Sequence, residues 1–415
     1  MDVLVTAPTN IAITKYWGKS DELNIHPMNS SISITLNQKQ LLTTTRITTG
    51  PSLTRCSFIL NGKPQNKLPG RMKDVIIAGT CLTSILQCFS RSAQLRARLL
   101  RPDPIHPYVC IESVNNFPTA AGLASSASGI AALAFGLAQL YGLSNDLPGL
   151  ARRGSGSASR SLAGGFVHWC ATGSNPLIQA NSSVIELYPA SYWPTLRVLV
   201  CVTNEGSKSL GSTRAMERTV STSPLYQLGR VQSAHINEKR LLDALRKRDF
   251  PTFAEVAMRE SDQLHAVCLD TWPPCLFLSA VSLAIMRWVH RLNQYCGRIL
   301  VAYTYDAGPN AILLAEETDM PFILRLLVFC FGSTKSTTIK PDSSMLTSTE
   351  LGQPLKELSF SGIQYDTFSQ PIVAPLLDSL PRYEGGILQV ISTQVGDGPQ
   401  LIRCSSSLDQ YNGLN

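Results

Sequence analysis

The sequence predicts two mixed domains of helix and strand, α/β or α+β in class, with a cleft between them. Three observations point there. The chain has 415 residues, enough for a large core and, on size alone, for about two domains. Extended and helical patterns alternate through the first half, whereas the second half carries longer helical patterns. The segment Ser191-Tyr-Trp-Pro194 makes a joint between the halves, giving domains over 1–194 and 195–415.

In chain order, residues 31–49 are rich in Ile, Leu and Thr and read as one or two strands. Residues 57–60, followed by Asn61-Gly62, read as a hairpin. Residues 71–100 are helical in pattern, and 108–114 return to strand. An apolar, Ala-rich run over 127–141 stops at Gly142. The next helix begins near Asn145-Asp146, with Pro148 in its first turn and Gly154 closing it. After a strand at 196–203 come helices over 232–248, over 250–268 with Asp249 as cap, and over 276–293. Strands follow at 299–305 and 311–315 around a Gly/Pro turn, and 322–331 reads as a buried helix. Residues 332–369 are rich in Ser, Thr, Lys and Pro with weak periodicity, so irregular structure is expected there. A last strand is expected over 385–395.

Hydrophobic content of 44% with 16% charged residues suits a soluble globular enzyme. A net charge of +7, with basic residues mostly scattered, favours small anions weakly and argues against nucleic acid. The greasiest stretch, 322–331, is interrupted by Arg325 and is too short to span a bilayer, so no membrane association is expected. The eleven cysteines show neither Cys-x-x-Cys nor zinc-finger spacing, and the first residues carry Asp2 and no secretory pattern. A reduced cytosolic protein, with cysteines acting mostly as small core residues, is expected.

The most informative stretch is 115–129, Asn-Asn-Phe-Pro-Thr-Ala-Ala-Gly-Leu-Ala-Ser-Ser-Ala-Ser-Gly, between a strand and a helix start. That arrangement aims free backbone N–H groups and the positive helix end at an anion. Gly122 permits close approach, and Ser125, Ser126 and Ser128 add hydroxyls that can reach a metal-bound phosphate. Taken alone, a small-residue turn before a tightly packed helix explains the loop equally well. In Asn10-Ile-Ala-Ile-Thr-Lys15-Tyr16-Trp17-Gly18-Lys19, two lysines flank an aromatic pair, which suits a polyanionic ligand. A strand end with snorkelling lysines is the alternative. In Arg153-Gly-Ser155-Gly156-Ser157-Ala-Ser-Arg160-Ser, two Gly-Ser steps offer amides and hydroxyls, and Arg160 can grip a carboxylate or phosphate; a flexible basic linker is the alternative. Lys208-Ser-Leu-Gly-Ser212-Thr offers donors of lower specificity. In Tyr303-Thr-Tyr-Asp306-Ala-Gly-Pro-Asn310 a carboxylate sits where a strand ends in a tight turn, as a base or as a turn cap. His265 is a further candidate, although a packed or capping histidine explains it better.

Together with His265-Ala-Val-Cys-Leu-Asp270, and in chain order from about residue 5 to residue 400, these segments resemble the diphosphomevalonate decarboxylases of the GHMP kinase superfamily. The resemblance implies an N-terminal ribosomal-protein-like α+β domain and a C-terminal ferredoxin-like domain around one cleft. It implies ATP-dependent decarboxylation of (R)-5-diphosphomevalonate to isopentenyl diphosphate, with magnesium, in a homodimer. Carried across, Gly122, Leu123, Ala124, Ser125, Ser126 and Ala127 would hold the ATP phosphates, with Mg2+ reached through Ser125 or Ser126. Asp306 would face the substrate 3-hydroxyl, with Lys15 beside it. Arg160, oriented by Asn10, would hold the C1 carboxylate. Tyr16, Lys19, Ser155, Gly156 and Ser157 would receive the diphosphate, with Ser212 nearby. Ser159 stands where the family commonly has cysteine. Tyr305 replaces a phenylalanine and is expected to add a hydroxyl near the reaction centre. A kinase of the same superfamily and a silent paralogue that binds without turnover are the competing readings.

Overall fold

The computed structural model describes residues 1–21, 25–89, 106–117, 125–143, 146–171, 183–203, 210–332, 338–340 and 379–405. Strand β1 (Asp2–Pro8) buries its apolar side chains and lies between two partners, β6 (Leu42–Thr49) and β17 (Gln400–Ser405). With β9 (Val109–Asn115), β7 (Ser57–Leu60) and β8 (Lys63–Pro64) they form a six-stranded sheet in the order β17-β1-β6-β9-β7-β8. The period-two alternation of Leu, Thr and Ile in β6 puts Thr43, Thr45 and Ile47 inward. The expected strands over 31–49 are present as β5 (Ser31–Thr35) and β6, which lie in different sheets, and the hairpin at 57–64 is present.

Helix α1 (Gly70–Phe89) packs against helix α2 (Ser125–Tyr141), which covers this sheet. The Ala-rich α2 is buried along most of its length, because small side chains let it lie close on β1 and β6. It ends at Gly142, whose φ of 68° is the left-handed turn that glycine accepts without cost. Helix α3 (Leu147–Gly154) is capped by Asp146, whose carboxylate accepts from Gly149 N at 2.9 Å, with Pro148 in the first turn.

A second sheet has the order β11-β10-β5-β2, formed by β11 (Val184–Tyr188), β10 (Phe166–Trp169), β5 (Ser31–Thr35) and β2 (Asn10–Ala12). A two-stranded ribbon pairs β3 (Lys19–Asp21) with β4 (His26–Pro27). The second half of the chain builds a third sheet, β13-β14-β12-β16-β15, from β12 (Leu196–Thr203), β13 (Ala302–Thr304), β14 (Ala311–Glu316), β15 (Thr338–Lys340) and β16 (Ile387–Gln394). Its helices are α4 (Ser212–Thr222), α5 (Val231–Lys247), α6 (Phe250–Asp270), α7 (Ala280–Cys296) and α8 (Met320–Phe331). Asp249 caps α6 as expected, accepting from Thr252 N at 3.2 Å. A short π-helical turn, Tyr226–Arg230, leads into α5.

One core lies between the first sheet, α1 and α2, around Val5, Ile47, Ile111 and Leu133. A larger core unites the second and third sheets with α5 to α8, so Ile11, Ile34 and Phe166 share it with Val200, Phe253 and Trp288. After β16 the chain crosses back, Gly165 N donating to Gly396 O at 2.9 Å, and β17 joins the first sheet beside β1. A smaller apolar cluster, with Trp17, Met216, Tyr226, Leu264 and Phe277, sits beneath the cleft.

Candidate active site

The cleft opens where β2, the Gly156–Leu162 helical turn, the start of α4 and the turn after β13 converge. Asn10, Lys15, Tyr16, Lys19, Ser126, Ser155, Gly156, Ser157, Arg160, Ser212 and Asp306 all line it. Residues from five distant segments of sequence therefore meet in one cavity. Among the described residues its lining carries four cations, Lys15, Lys19, Arg71 and Arg160, against the single carboxylate of Asp306. That balance fits a polyanion.

The loop residues Gly122, Leu123 and Ala124 lie outside the described residues, as does Lys208. Ser125 is the first residue of α2, and Ser126 faces the cleft at the helix's N-terminal end. Ala127 is fully buried in the core beneath, so only its backbone could contribute to a phosphate site. Ser128 also turns inward, its hydroxyl 2.7 Å from that of Thr43.

Lys15 is buried, and its ammonium donates to Asp306 Oδ1 and to Ala12 O, each at 2.7 Å. Asp306 is about a third exposed (34%) and lines the cleft. Burial pulls the Lys15 pKa below the ordinary lysine range, and the Asp306 carboxylate opposes that pull. The Asp306 main chain also makes its own tight turn, Gly308 N donating back to Asp306 O at 2.7 Å.

Arg160 is held rather than mobile. Its Nε donates to Asn10 Oδ1 at 3.1 Å and its Nη1 to Ser31 Oγ at 3.1 Å. Asn10 is itself anchored, Nδ2 donating to Ser157 O at 3.0 Å and to Ser161 Oγ at 2.7 Å. The guanidinium lies 5.7 Å from the Trp169 ring centroid. Burial lowers its pKa to about 10, still protonated at neutral pH. These bonds leave Nη2 for a ligand carboxylate.

Tyr16 packs on Trp169 with ring centroids 4.6 Å apart and planes tilted by 53°, and its buried hydroxyl has no hydrogen-bond partner among the described residues. A buried orphan hydroxyl at the cleft wall is a place for a polar ligand atom. Gly156 is required beside it: a Cβ there would come within 3.0 Å of Tyr16 and 2.9 Å of Trp169. Ser155 and Ser157 share a hydrogen bond of 3.1 Å at the same wall. The 153–161 segment is thus ordered and buried, not a basic linker.

One expectation changes, at Tyr305, and one is met, at His265. Tyr305 is buried, and its hydroxyl donates to Ser282 O at 3.0 Å, so it pins α7 instead of facing the reaction centre. His265 is packed against Tyr305 and Phe277 rather than lining the cleft. Burial, then the nearby Lys15 charge, lowers its pKa to about 4. Sequence reasoning missed Arg71 and Thr213 as a pair: Arg71 on α1 hydrogen-bonds Thr213 on α4 across the mouth of the cleft. It also missed Arg230 and Glu260, a fully buried pair behind Lys15. Thr213 ends the Lys208–Thr213 segment already singled out, but Arg71, Arg230 and Glu260 stand in no Gly- or Ser-rich segment that would have drawn attention to them.

Comparisons with known proteins give the family and the fold. The family model for the diphosphomevalonate decarboxylase-like N-terminal domain matches residues 7–183, and that for the mevalonate 5-diphosphate decarboxylase C-terminal domain matches 198–402. The human diphosphomevalonate decarboxylase is 40% identical over 96% of this chain and 93% of its own. The solved mevalonate diphosphate decarboxylase from Trypanosoma brucei superposes with a TM-score of 0.79 at 29% identity, covering 98% of this chain and all of that one. A further solved structure, described as MDDEF in complex with MVAPP, AMPPCP and magnesium, superposes with a TM-score of 0.70 at 29% identity over 97% of this chain and 99% of its own. With nearly the whole chain matched, and the cationic cleft in place, the protein belongs to the diphosphomevalonate decarboxylase family.

Proposed function

We propose that this cleft carries out the ATP-dependent decarboxylation of (R)-5-diphosphomevalonate to isopentenyl diphosphate, releasing ADP, phosphate and carbon dioxide. The observation that carries the reading is the convergence of Lys15–Asp306 and Asn10–Arg160 in one cavity with a cationic, hydroxyl-rich wall. The substrate has a carboxylate, a tertiary 3-hydroxyl and a diphosphate, and the cleft offers a distinct group for each.

Arg160 holds the C1 carboxylate through Nη2, in an orientation set by Asn10 and Ser31. The diphosphate lies against Ser155, Gly156, Ser157, Lys19 and the Tyr16 hydroxyl, with Ser212 at the helix α4 end. Asp306 accepts a hydrogen bond from the 3-hydroxyl and takes its proton as the γ-phosphoryl group of ATP is transferred to that oxygen. Lys15 keeps the carboxylate ionised and offsets charge on the moving phosphoryl group. Departure of the new phosphate leaves cationic character at C3. The C1–C2 bonding electrons then form the alkene as carbon dioxide leaves. Phosphorylation converts a hydroxide into a far better leaving group, and the protein's part is placement and charge stabilisation.

The donor set fits ATP and magnesium. Ser126 at the N-terminal end of α2 and the Asp306 carboxylate are hard oxygen donors facing the same cavity, and the family resemblance assigns the ATP phosphates to Gly122 through Ala127. Magnesium, when bound, neutralises phosphate charge. Supporting a cytosolic enzyme, the cysteines of the described residues are free thiols, and no helix among those residues is long and apolar enough to cross a membrane. A homodimer is the assembly the family resemblance implies, and sedimentation of the purified protein tests it.

The reading is tested by supplying diphosphomevalonate and magnesium-ATP and following ADP and carbon dioxide together. Equal amounts of both are expected. ADP without carbon dioxide would mean a kinase, and neither product would leave a silent binding protein. In the same assay Arg160→Gln is expected to lose about 10²- to 10³-fold in kcat/KM. A near-normal value would remove Arg160 from carboxylate binding.

A further inference from the structure

Behind the Lys15–Asp306 contact, one turn of α6 touches the main chain of Lys15 and of Tyr305, the residue before Asp306. Glu260 Oε2 accepts from Lys15 N at 2.8 Å, and the next residue, Ser261, accepts through Oγ from Tyr305 N at 2.9 Å. Glu260 has no exposed surface, and it is gripped at both oxygens by Arg230, Nη2 to Oε2 at 2.8 Å and Nη1 to Oε1 at 3.0 Å. Arg230 Nη2 also donates to Lys15 O at 3.1 Å, so the pair holds the Lys15 peptide from both its N–H and its carbonyl. Asn237 completes the Glu260 shell at 2.8 Å.

Burying an ion pair is costly, and apolar residues of the same volume often stabilise a core as well or better. A pair kept here, bonded to the backbone of the lysine that contacts Asp306, has a positional use. We propose that Glu260 and Ser261, with Arg230, are positioning residues that set the Lys15–Asp306 separation, α6 acting as the common ruler for the two strand ends. The proposal rests on the catalytic roles assigned above to Lys15 and Asp306. Glu260 also places a negative charge behind Lys15. The charged and titratable groups that face Lys15 are Asp306 after β13, Arg160 in the Gly156–Leu162 turn, Glu260 and His265 on α6, and Arg230 before α5.

The test compares Glu260→Gln and Ser261→Ala with the wild type. Glu260→Gln keeps the shape but removes the charge and loosens the Arg230 clamp. It is expected to lower kcat by about 10²-fold with KM for diphosphomevalonate little changed. Because the lost charge favoured protonated Lys15, the alkaline limb of kcat is expected to move to lower pH. A merely structural role would not move that limb. Ser261→Ala is expected to lower kcat with the limb in place. In a crystal structure of Glu260→Gln the Lys15 Nζ–Asp306 separation is expected to exceed the 2.7 Å of the wild type. Wild-type kcat, an unmoved limb and an unchanged separation would overturn the proposal. If Glu260→Gln does not fold, Ser261→Ala with unchanged kcat overturns it alone. Should the wild-type protein yield no carbon dioxide, the functional reading fails, while the separation in the variant still decides the positioning claim.

Discussion

At the residue scale, the lysine at the centre of the site is kept charged against its surroundings. Lys15 is buried, which favours the neutral amine and lowers its pKa, and Asp306 at 2.7 Å opposes that pull toward the ammonium. Activity is therefore expected to fall on the alkaline side as Lys15 loses its proton, at a pH below the ordinary lysine value. A pH profile of kcat measures this, and a rate that stays flat beyond that value would contradict it. His265 makes the opposite prediction for stability. Its pKa falls from an ordinary 6.5 to about 4 in the folded protein, so between those pH values the unfolded chain binds a proton that the native protein refuses. Stability should decline as pH drops through that window, and His265→Phe should flatten the decline in urea midpoints measured against pH. Asn10, Lys15, Arg160 and Asp306 were legible because each stands in a short polar segment rich in small residues or at a strand end. Arg71, Arg230 and Glu260 were not, because charged residues in or beside helices look like solvated surface until the fold buries them.

At the element scale, helices and long strands were readable from pattern and caps. Asp146, Asp249 and Gly142 mark their termini in the sequence and do so in the structure. Short strands such as β2, β10 and the β3–β4 ribbon were not, since three or four residues carry too little alternation. The residues of β10 matter nonetheless. His168 on β10 bonds Glu238 on α5 at 2.7 Å, tying the second sheet to a helix of the second half. Burial opposes a charged imidazole there, but hydrogen bonds to Cys170 and Glu238 outweigh it and raise the pKa to about 9. The stability this contributes should be present below about pH 6.5 and lost as pH rises through about 9. Thermal melts of His168→Gln should lack that alkaline loss. Helix α2 gives a packing prediction. A Cβ at Gly136 would come within 2.7 Å of Ile47, so Gly136→Val should cost about 1–3 kcal/mol in chemical denaturation.

At the scale of the whole molecule, the site exists only because distant parts of the chain return to one another. Lys15 and Asp306 are brought together by β2, β13 and α6, and their shared core joins both halves of the chain. The last described strand, β17, closes the edge of the first sheet beside β1, with Arg403 bonded to Asp2 at 2.7 Å. No local pattern in 400–405 announces a partner four hundred residues away, and strand order is where reading from the sequence stops. The central claim is that Asp306, held by Lys15, initiates phosphoryl transfer that decarboxylation then requires. Single-turnover measurement of ADP and carbon dioxide with Asp306→Asn, beside the wild type, tests it most directly. The wild type should release the two products one for one, and Asp306→Asn should release neither at a comparable rate. An Asp306→Asn protein that formed both at the wild-type rate would contradict the account.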